Sequence, residues 1–416
     1  MFTVNRERFS ATDARVRLDA YGALEHFRSP DGRLYALCLS SPADVVMLVL
    51  FLRERGGSVL LLAADTPLET ALASARQAGA YALVFGTPEQ CQVLPGTPAA
   101  QEEPSLYSFS SGTTGGAKLI RRSWSAVAEE IAAYNEAIPA DAGETPVVLA
   151  SVTHSYGLLC GVLATLERGV SPVIVTNKNP KFALSVIRDT PKHLVYGVPT
   201  LFHMLTGFSQ EGLRFHKLMT SGAPMPAPLF ERLSGLADTL LQQYGCSEAG
   251  CILISPRMEA ATDMGLPLRH WKLELDSREE AQPSELAVTG RAGRIATGDL
   301  GYIAPSGHIH LLSRIDDVIN VSGLKVFPLE VEEVLLGMPG VAEAVVYRGR
   351  HPVMGEIVKA RIVASGRVSA DDVRDVCLQR LPAYKVPADI EFVTAIPKNP
   401  TGKISRKRLE MEDATQ

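Results

Sequence analysis

The stretch Tyr107-Ser108-Phe109-Ser110-Ser111-Gly112-Thr113-Thr114-Gly115-Gly116-Ala117-Lys118 leaves an apolar strand end, passes through a run of small residues and stops at a lysine. Small residues let backbone N–H groups approach phosphate oxygens closely, while hydroxyls and one ammonium add donors and charge. Helical spacing follows over Ser123 to Ala137, as it often does behind anion-binding loops. The run is not a Walker A loop: Gly112 to Lys118 reads G-T-T-G-G-A-K, and Leu119 stands where that motif needs Ser or Thr. Taken alone, it would also describe a flexible surface loop. Its surroundings decide.

Upstream, a helix pattern from Pro42 to about Arg55 is followed by the apolar strand Ser58 to Ala63, helical spacing from Thr66 to Ala78, and a strand from Tyr81 to Phe85. The rhythm recurs at Val147–Val152, Pro172–Val175, His193–Val198 and Leu240–Tyr244. Continuous apolar strands between amphipathic helices imply α/β sheets covered on both faces. Past residue 315 the pattern changes to strands at Glu343–Tyr347, Glu356–Val363 and Ile390–Ala395 with a helix at Ala370–Leu381. We expect a large N-terminal α/β domain over 1–315 and a small, mobile α+β C-terminal domain over 316–416. The short polar join Ser313-Arg314-Ile315-Asp316-Asp317 suits a hinge.

The chain has 416 residues and a formal charge of −5, which gives no basic surplus for nucleic acid or an anionic membrane. Its six cysteines (Cys38, Cys91, Cys160, Cys246, Cys251, Cys377) form no C-x-x-C pair, so reduced thiols are expected. The N-terminal twenty residues carry charges throughout, and Val45 to Leu52 is far shorter than the ~20 residues of a membrane span. A cytoplasmic protein is expected.

The loop resembles the signature of the adenylate-forming superfamily: acyl- and aryl-CoA synthetases, adenylation domains of peptide synthetases, and firefly luciferase. The usual pattern is T/S-S-G-T-T-G-x-P-K-G; here Ala117 replaces its proline and Leu119 its last glycine, changes that affect stiffness rather than donors. The resemblance implies that Ser111, Gly112, Thr113, Thr114 and Gly115 hold ATP phosphates, with Lys118 beside them. Ser221-Gly222-Ala223-Pro224 and Gln242-Gln243-Tyr244-Gly245-Cys246-Ser247-Glu248 resemble the adenine pocket and the adjoining metal site. A tyrosine face can stack on adenine and an amide such as Gln242 can pair with its edge. Ser247 keeps the hydroxyl of the family's threonine, and Glu248 is the implied Mg²⁺ contact, an ion that takes few carboxylates.

Thr297-Gly298-Asp299-Leu300 resembles the ribose motif, where a carboxylate accepts both hydroxyls of a diol; read alone, T-G-D would be a turn. Arg314 is the second implied ribose contact and Asp316 the implied hinge. Pro397-Lys398-Asn399-Pro400-Thr401-Gly402-Lys403-Ile404 resembles the loop carrying the catalytic lysine, an ammonium that stabilises charge gathering at the α-phosphate. The resemblance then implies two half-reactions. Lys403 serves adenylation; the small domain next turns about Asp316 and presents Gly323 and Lys325 beside a tunnel for a phosphopantetheine thiol.

His154 aligns with the gating histidine of acyl- and aryl-CoA ligases, and Ser221, Cys246, Tyr156 and Cys160 fall where such ligases line the acyl pocket. Leu158, Leu159 and Cys160 supply no carboxylate for an α-ammonium, which argues against α-amino acids. The expected enzyme is therefore an AMP-forming acid–thiol ligase for an aryl or medium acyl acid, using ATP and Mg²⁺. The thiol belongs to CoA or an acyl carrier protein. Only about 105 residues precede the loop, a compactness that mildly favours the carrier protein. An amide- or ester-forming ligase would share every ATP motif. A non-catalytic nucleotide-binding protein is disfavoured because Glu248, Asp299, Arg314 and Lys403 are all present.

Overall fold

A computed structural model describes residues 1–95, 103–109, 118–139, 141–208, 212–351, 355–398 and 404–414. The chain divides into two compact units, 1–222 with 236–257 and 267–271, and 223–235 with 258–266 and 272–416.

The first unit holds two sheets. One runs in the order Cys91–Val93, Ala82–Gly86, Leu34–Leu39, Ser58–Leu61, Ser105–Phe109, Leu119–Ser123, its four central strands parallel and its outer pair antiparallel. In the other, Ala237–Cys246, Phe215–Thr220, His193–Gly197, Thr145–Val148, Val173–Ile174 and Phe2–Val4 lie parallel, with Gly250–Ser255 and Glu7–Phe9 antiparallel beyond them. Leu34–Leu39 and His193–Gly197 are buried at every position, which is why they read as unbroken apolar runs rather than alternating ones. A shared core takes Tyr35 and Leu37 from the first sheet, Val148, Leu194, Tyr196 and Leu241 from the second, and the helix Pro42–Glu54 between them. Ser41 caps that helix, accepting from Asp44 N at 3.3 Å, and Pro42 opens it.

The second unit contains the antiparallel strands Lys272–Glu274, Ser284–Gly290, Gly293–Ile303, Ile309–Arg314 and Asp263–Pro267. From residue 319 onward a separate sheet forms from Leu324–Val326, Ile319–Val321, Gly355–Ala364 and Val341–His351, with Asp389–Phe392 parallel to Gly355–Ala364. Helices Pro328–Leu336 and Ala370–Arg380 bury Val331, Leu335, Val373 and Cys377 against it. The mixed α/β class and the two kinds of sheet agree with the sequence reading. Among the described residues no helix is long and apolar enough to cross a membrane.

Two local details add to the sequence reading. A return strand, Leu119–Ser123, separates the small-residue loop from the helix Trp124–Ala137. Thr297-Gly298-Asp299 lies inside a long strand, where Gly298 at φ +72 lets the chain kink without leaving the sheet.

Candidate active site

Ser111, Gly112, Thr113, Thr114 and Gly115 lie outside the described residues, but both ends of their loop are defined. Ser105–Phe109 and Leu119–Ser123 pair antiparallel as the two arms of a hairpin, with Phe109 opposite Leu119. Lys118 stands exposed at its foot. The hairpin is tied to the sheet by Ser105 N donating to Ser58 Oγ (2.9 Å) and by Trp124 Nε1 donating to Gly57 O (3.0 Å). The helix behind it caps itself, with Ala126 N donating to Ser123 Oγ (3.2 Å), so its N-terminus serves the return strand rather than the loop.

The segment Gln242 to Glu248 also forms a hairpin. Ala237–Cys246 turns through Ser247, Glu248 and Ala249 into Gly250–Ser255, with Cys246 opposite Gly250. Gly245 is required by close approach, because a Cβ there would overlap the Gly250 carbonyl oxygen. Ser247, Glu248, Cys246 and Tyr244 are half-buried on or beside this turn. Gln242 is 1% exposed, and its neighbour Gln243 points to the opposite face, accepting from Tyr134 Oη at 2.7 Å. Thr220 pairs with Gln242, so Ser221 (buried) and Gly222 (φ +87) leave their strand beside Gln243 and Tyr244. Ala223 is half-buried and Pro224 exposed.

His154 is exposed at the entrance to an eight-residue π-helix, Tyr156–Leu163. Such windings are uncommon and recur at functional sites. The Tyr156 hydroxyl faces two carbonyls at strand ends, Met219 O (2.6 Å) and Gly197 O (3.2 Å), and burial pushes its pKa well above the ordinary phenol value. Cys160 is buried and its Sγ accepts from Gln243 Nε2 (3.3 Å). Tyr156 and Cys160 therefore sit one winding apart, each with a fixed partner at the C-terminal ends of the parallel strands, where ligands of open α/β sheets bind.

In the second unit Asp299 and Arg314 lie directly opposite one another on paired strands, with Arg314 Nη1 3.2 Å from Asp299 Oδ1. Thr297 holds this corner: its Oγ1 donates to Leu286 O (2.7 Å) and accepts from Asp299 N (3.1 Å). Asp316 is exposed in the one-turn helix Ile315–Asp317, its carbonyl accepting from Arg348 Nη2 at 2.5 Å. Ser322 (φ +52) and Gly323 (φ +90) make a two-residue turn with Lys325 exposed beyond it. Lys403 lies outside the described residues. Lys398 bridges Ile404 across its loop, and Arg406 beyond it is held by Glu332 (2.7 Å), Asp317 (2.9 Å) and Val346 O (2.8 Å).

Among the described residues a different set of possible metal ligands, Asp141, Glu144 and His216, comes together. The Lys217 ammonium lies 2.8 Å from both carboxylates and already fills that position with positive charge. Glu248, a half-buried carboxylate on a turn with a serine hydroxyl beside it, is better suited to Mg²⁺, which shares its coordination between few carboxylates, phosphate oxygens and water.

Comparison with known proteins decides the class. The pattern of the AMP-binding enzyme family matches residues 39–298, and that of the AMP-binding enzyme C-terminal domain matches residues 330–403. The chain belongs to this family of AMP-binding enzymes. It is 51% identical over 415 residues, all of both chains, to a 3,4-dihydroxybenzoate–[aryl-carrier protein] ligase of Bacillus anthracis. It is 29% identical over 404 residues to the fatty acid–[acyl-carrier-protein] ligase ScoC of Streptomyces coeruleorubidus, covering 87% of this chain and 76% of that one. In fold it matches o-succinylbenzoate CoA synthetase of Bacillus subtilis bound to its acyl-adenylate, with a TM-score of 0.85 at 22% identity over 98% and 94% of the two chains. This AMP-binding enzyme is accordingly an AMP-forming acid–thiol ligase.

Proposed function

We propose that this enzyme activates a dihydroxybenzoate-class aryl acid and transfers it to the phosphopantetheine thiol of an aryl carrier protein in the cytoplasm. The observation that carries this reading is the 51% identity, over all of both chains, to a ligase of that name. The lack of a carboxylate among Leu158, Leu159 and Cys160 supports an acid without an α-ammonium group rather than an amino acid.

In the first half-reaction a carboxylate oxygen attacks the α-phosphorus of ATP and pyrophosphate leaves. Residues 111–115 and Lys118 cradle the phosphates, and Lys403 stabilises the developing charge. Gln242, Tyr244, Gly245 and the Ser221–Pro224 segment bound the adenine, Ser247 meets the α-phosphate, and Asp299 with Arg314 holds the ribose. Glu248 would hold Mg²⁺, which neutralises phosphate charge when bound. In the second, the thiol sulfur attacks the acyl carbonyl and AMP leaves. A C-terminal lid beginning at Asp316 then presents Gly323 and Lys325, while His154 gates the acyl pocket of Tyr156, Cys160, Ser221 and Cys246. The test offers the purified enzyme, charged with ATP and 3,4-dihydroxybenzoate, equal amounts of CoA, a phosphopantetheinylated aryl carrier protein and a simple amine. Thioester on the carrier protein is expected; preferential amide or acyl-CoA formation overturns the acceptor.

A further inference from the structure

The turn bearing Ser247 and Glu248 rests on a buried ion pair supplied by another part of the chain. Arg122, on the return strand of the phosphate hairpin, pairs through Nη2 with Glu130 Oε2 on the helix Trp124–Ala137; the two side chains are 8% and 1% exposed. The other carboxylate oxygen, Oε1, accepts from Cys251 N at 2.7 Å, immediately after the turn. The fit is tight: a Cβ at Gly250 would lie 2.5 Å from both terminal Arg122 nitrogens and from Glu130 Oε2. One helical turn beyond Glu130, Tyr134 donates to Gln243 Oε1 (2.7 Å) on the other strand of the same hairpin, and Gln243 Nε2 in turn donates to Cys160 Sγ (3.3 Å). One helix face therefore grips both strands that carry the turn.

Stability alone does not account for this arrangement. A buried pair seldom stabilises a core more than apolar side chains of the same volume would. Here Arg122 Nη1 is also buried with no acceptor among the described residues. What the pair does supply is a fixed link between the return strand Leu119–Ser123, the helix Trp124–Ala137 and the strand that follows the Ser247–Ala249 turn.

We propose that Arg122 and Glu130 are positioning residues that set the Ser247–Ala249 turn against the phosphate hairpin, so that Glu248 meets the metal on the bound nucleotide. This rests on the assignment of Glu248 to Mg²⁺. Groups one step behind a metal ligand commonly change metal affinity about 10- to 100-fold when altered, through orientation rather than contact.

The test compares Glu130→Gln, Arg122→Lys, the double variant Arg122→Met/Glu130→Met and Glu248→Gln in the full-length enzyme. Acid-dependent pyrophosphate exchange is measured against Mg²⁺, ATP and acid concentration, with thermal melting alongside. Glu130→Gln and the double variant should raise the Mg²⁺ and ATP requirements about tenfold or more while leaving the KM for the acid unchanged, and Arg122→Lys should fall between them and the wild type. The double variant keeps the question open to refutation if a single change prevents folding. A folded double variant with an unaltered Mg²⁺ and ATP requirement overturns the proposal, as does an equal loss for ATP and acid. If Glu248→Gln leaves the Mg²⁺ requirement unchanged, the metal assignment beneath the proposal fails instead.

Discussion

Two hairpin turns carry proposed functional residues, and they are built in opposite ways. The Ser247–Ala249 turn is closed by Gly245 lying against Gly250 and is underpinned by the buried Arg122–Glu130 pair. The Ser322–Gly323 turn projects from its sheet: Ser322, Gly323, Leu324 and Lys325 are exposed, and Gly323 N donates to Asn320 Oδ1 at 2.8 Å. A Cβ added at Gly323 would meet no atom within 4 Å. The first construction suits a group that must hold a nucleotide in one geometry. The second suits a group presented to an incoming partner.

The harshest way to break this contrast is Gly245→Ala. With backbone directly in the way, we expect a destabilisation of about 3 kcal/mol, the upper end for overpacking, and loss of pyrophosphate exchange, read by chemical denaturation and activity together. A variant of wild-type stability would show that the turn is not packed as described. Next in size is Asp299→Asn, opposite Arg314. Hydrogen bonds to a charged group contribute about 1.5–3 kcal/mol, so the KM for ATP should rise roughly 10- to 100-fold with the KM for the acid unmoved. An unchanged ATP KM would remove Asp299 from the ribose site.

Gly323→Ala sharpens the other side. Left-handed backbone costs an L-residue about 1–2 kcal/mol, so stability should fall modestly and adenylation should persist. Transfer to the thiol is expected to slow. Undiminished transfer would remove the exposed turn from the second half-reaction.

The smallest expected effect is one of pH. His193 is buried, its Nε2 accepts from His216 N (2.9 Å), and its Nδ1 donates to Thr190 O (2.7 Å). Burial lowers its pKa below the ordinary 6.5. The folded state thus favours the neutral ring: the associated stability is complete above pH 6.5 and declines as pH falls through that value towards the lower folded pKa. Denaturant midpoints across this range should show the decline in the wild type and less of it in His193→Gln.

Sequence reading is most informative where motifs far apart in the chain fall together in the structure. Asp299 and Arg314 stand in separate sequence motifs, and strand register places them opposite one another. Continuous apolar strands likewise revealed the parallel sheets. The return strand Leu119–Ser123 was missed because two arginines in five residues obscure its alternation, in which Ile120 and Arg122 both face inward. That same alternation was the available clue to the ion pair, since an arginine at an inward strand position requires an acid, and Glu130 lies among the buried residues Val127, Ile131 and Tyr134. The π-helical winding of Tyr156–Leu163 leaves no such mark, because an apolar run is compatible with any helix.

The central claim is adenylation of an aryl acid, and exchange of labelled pyrophosphate into ATP tests it most directly. With Mg²⁺ present, label should enter ATP when 3,4-dihydroxybenzoate is added and not without an acid, and Lys403→Ala should abolish the exchange. No exchange with any aryl acid by folded, ATP-binding enzyme, or exchange that survives Lys403→Ala undiminished, would contradict the account.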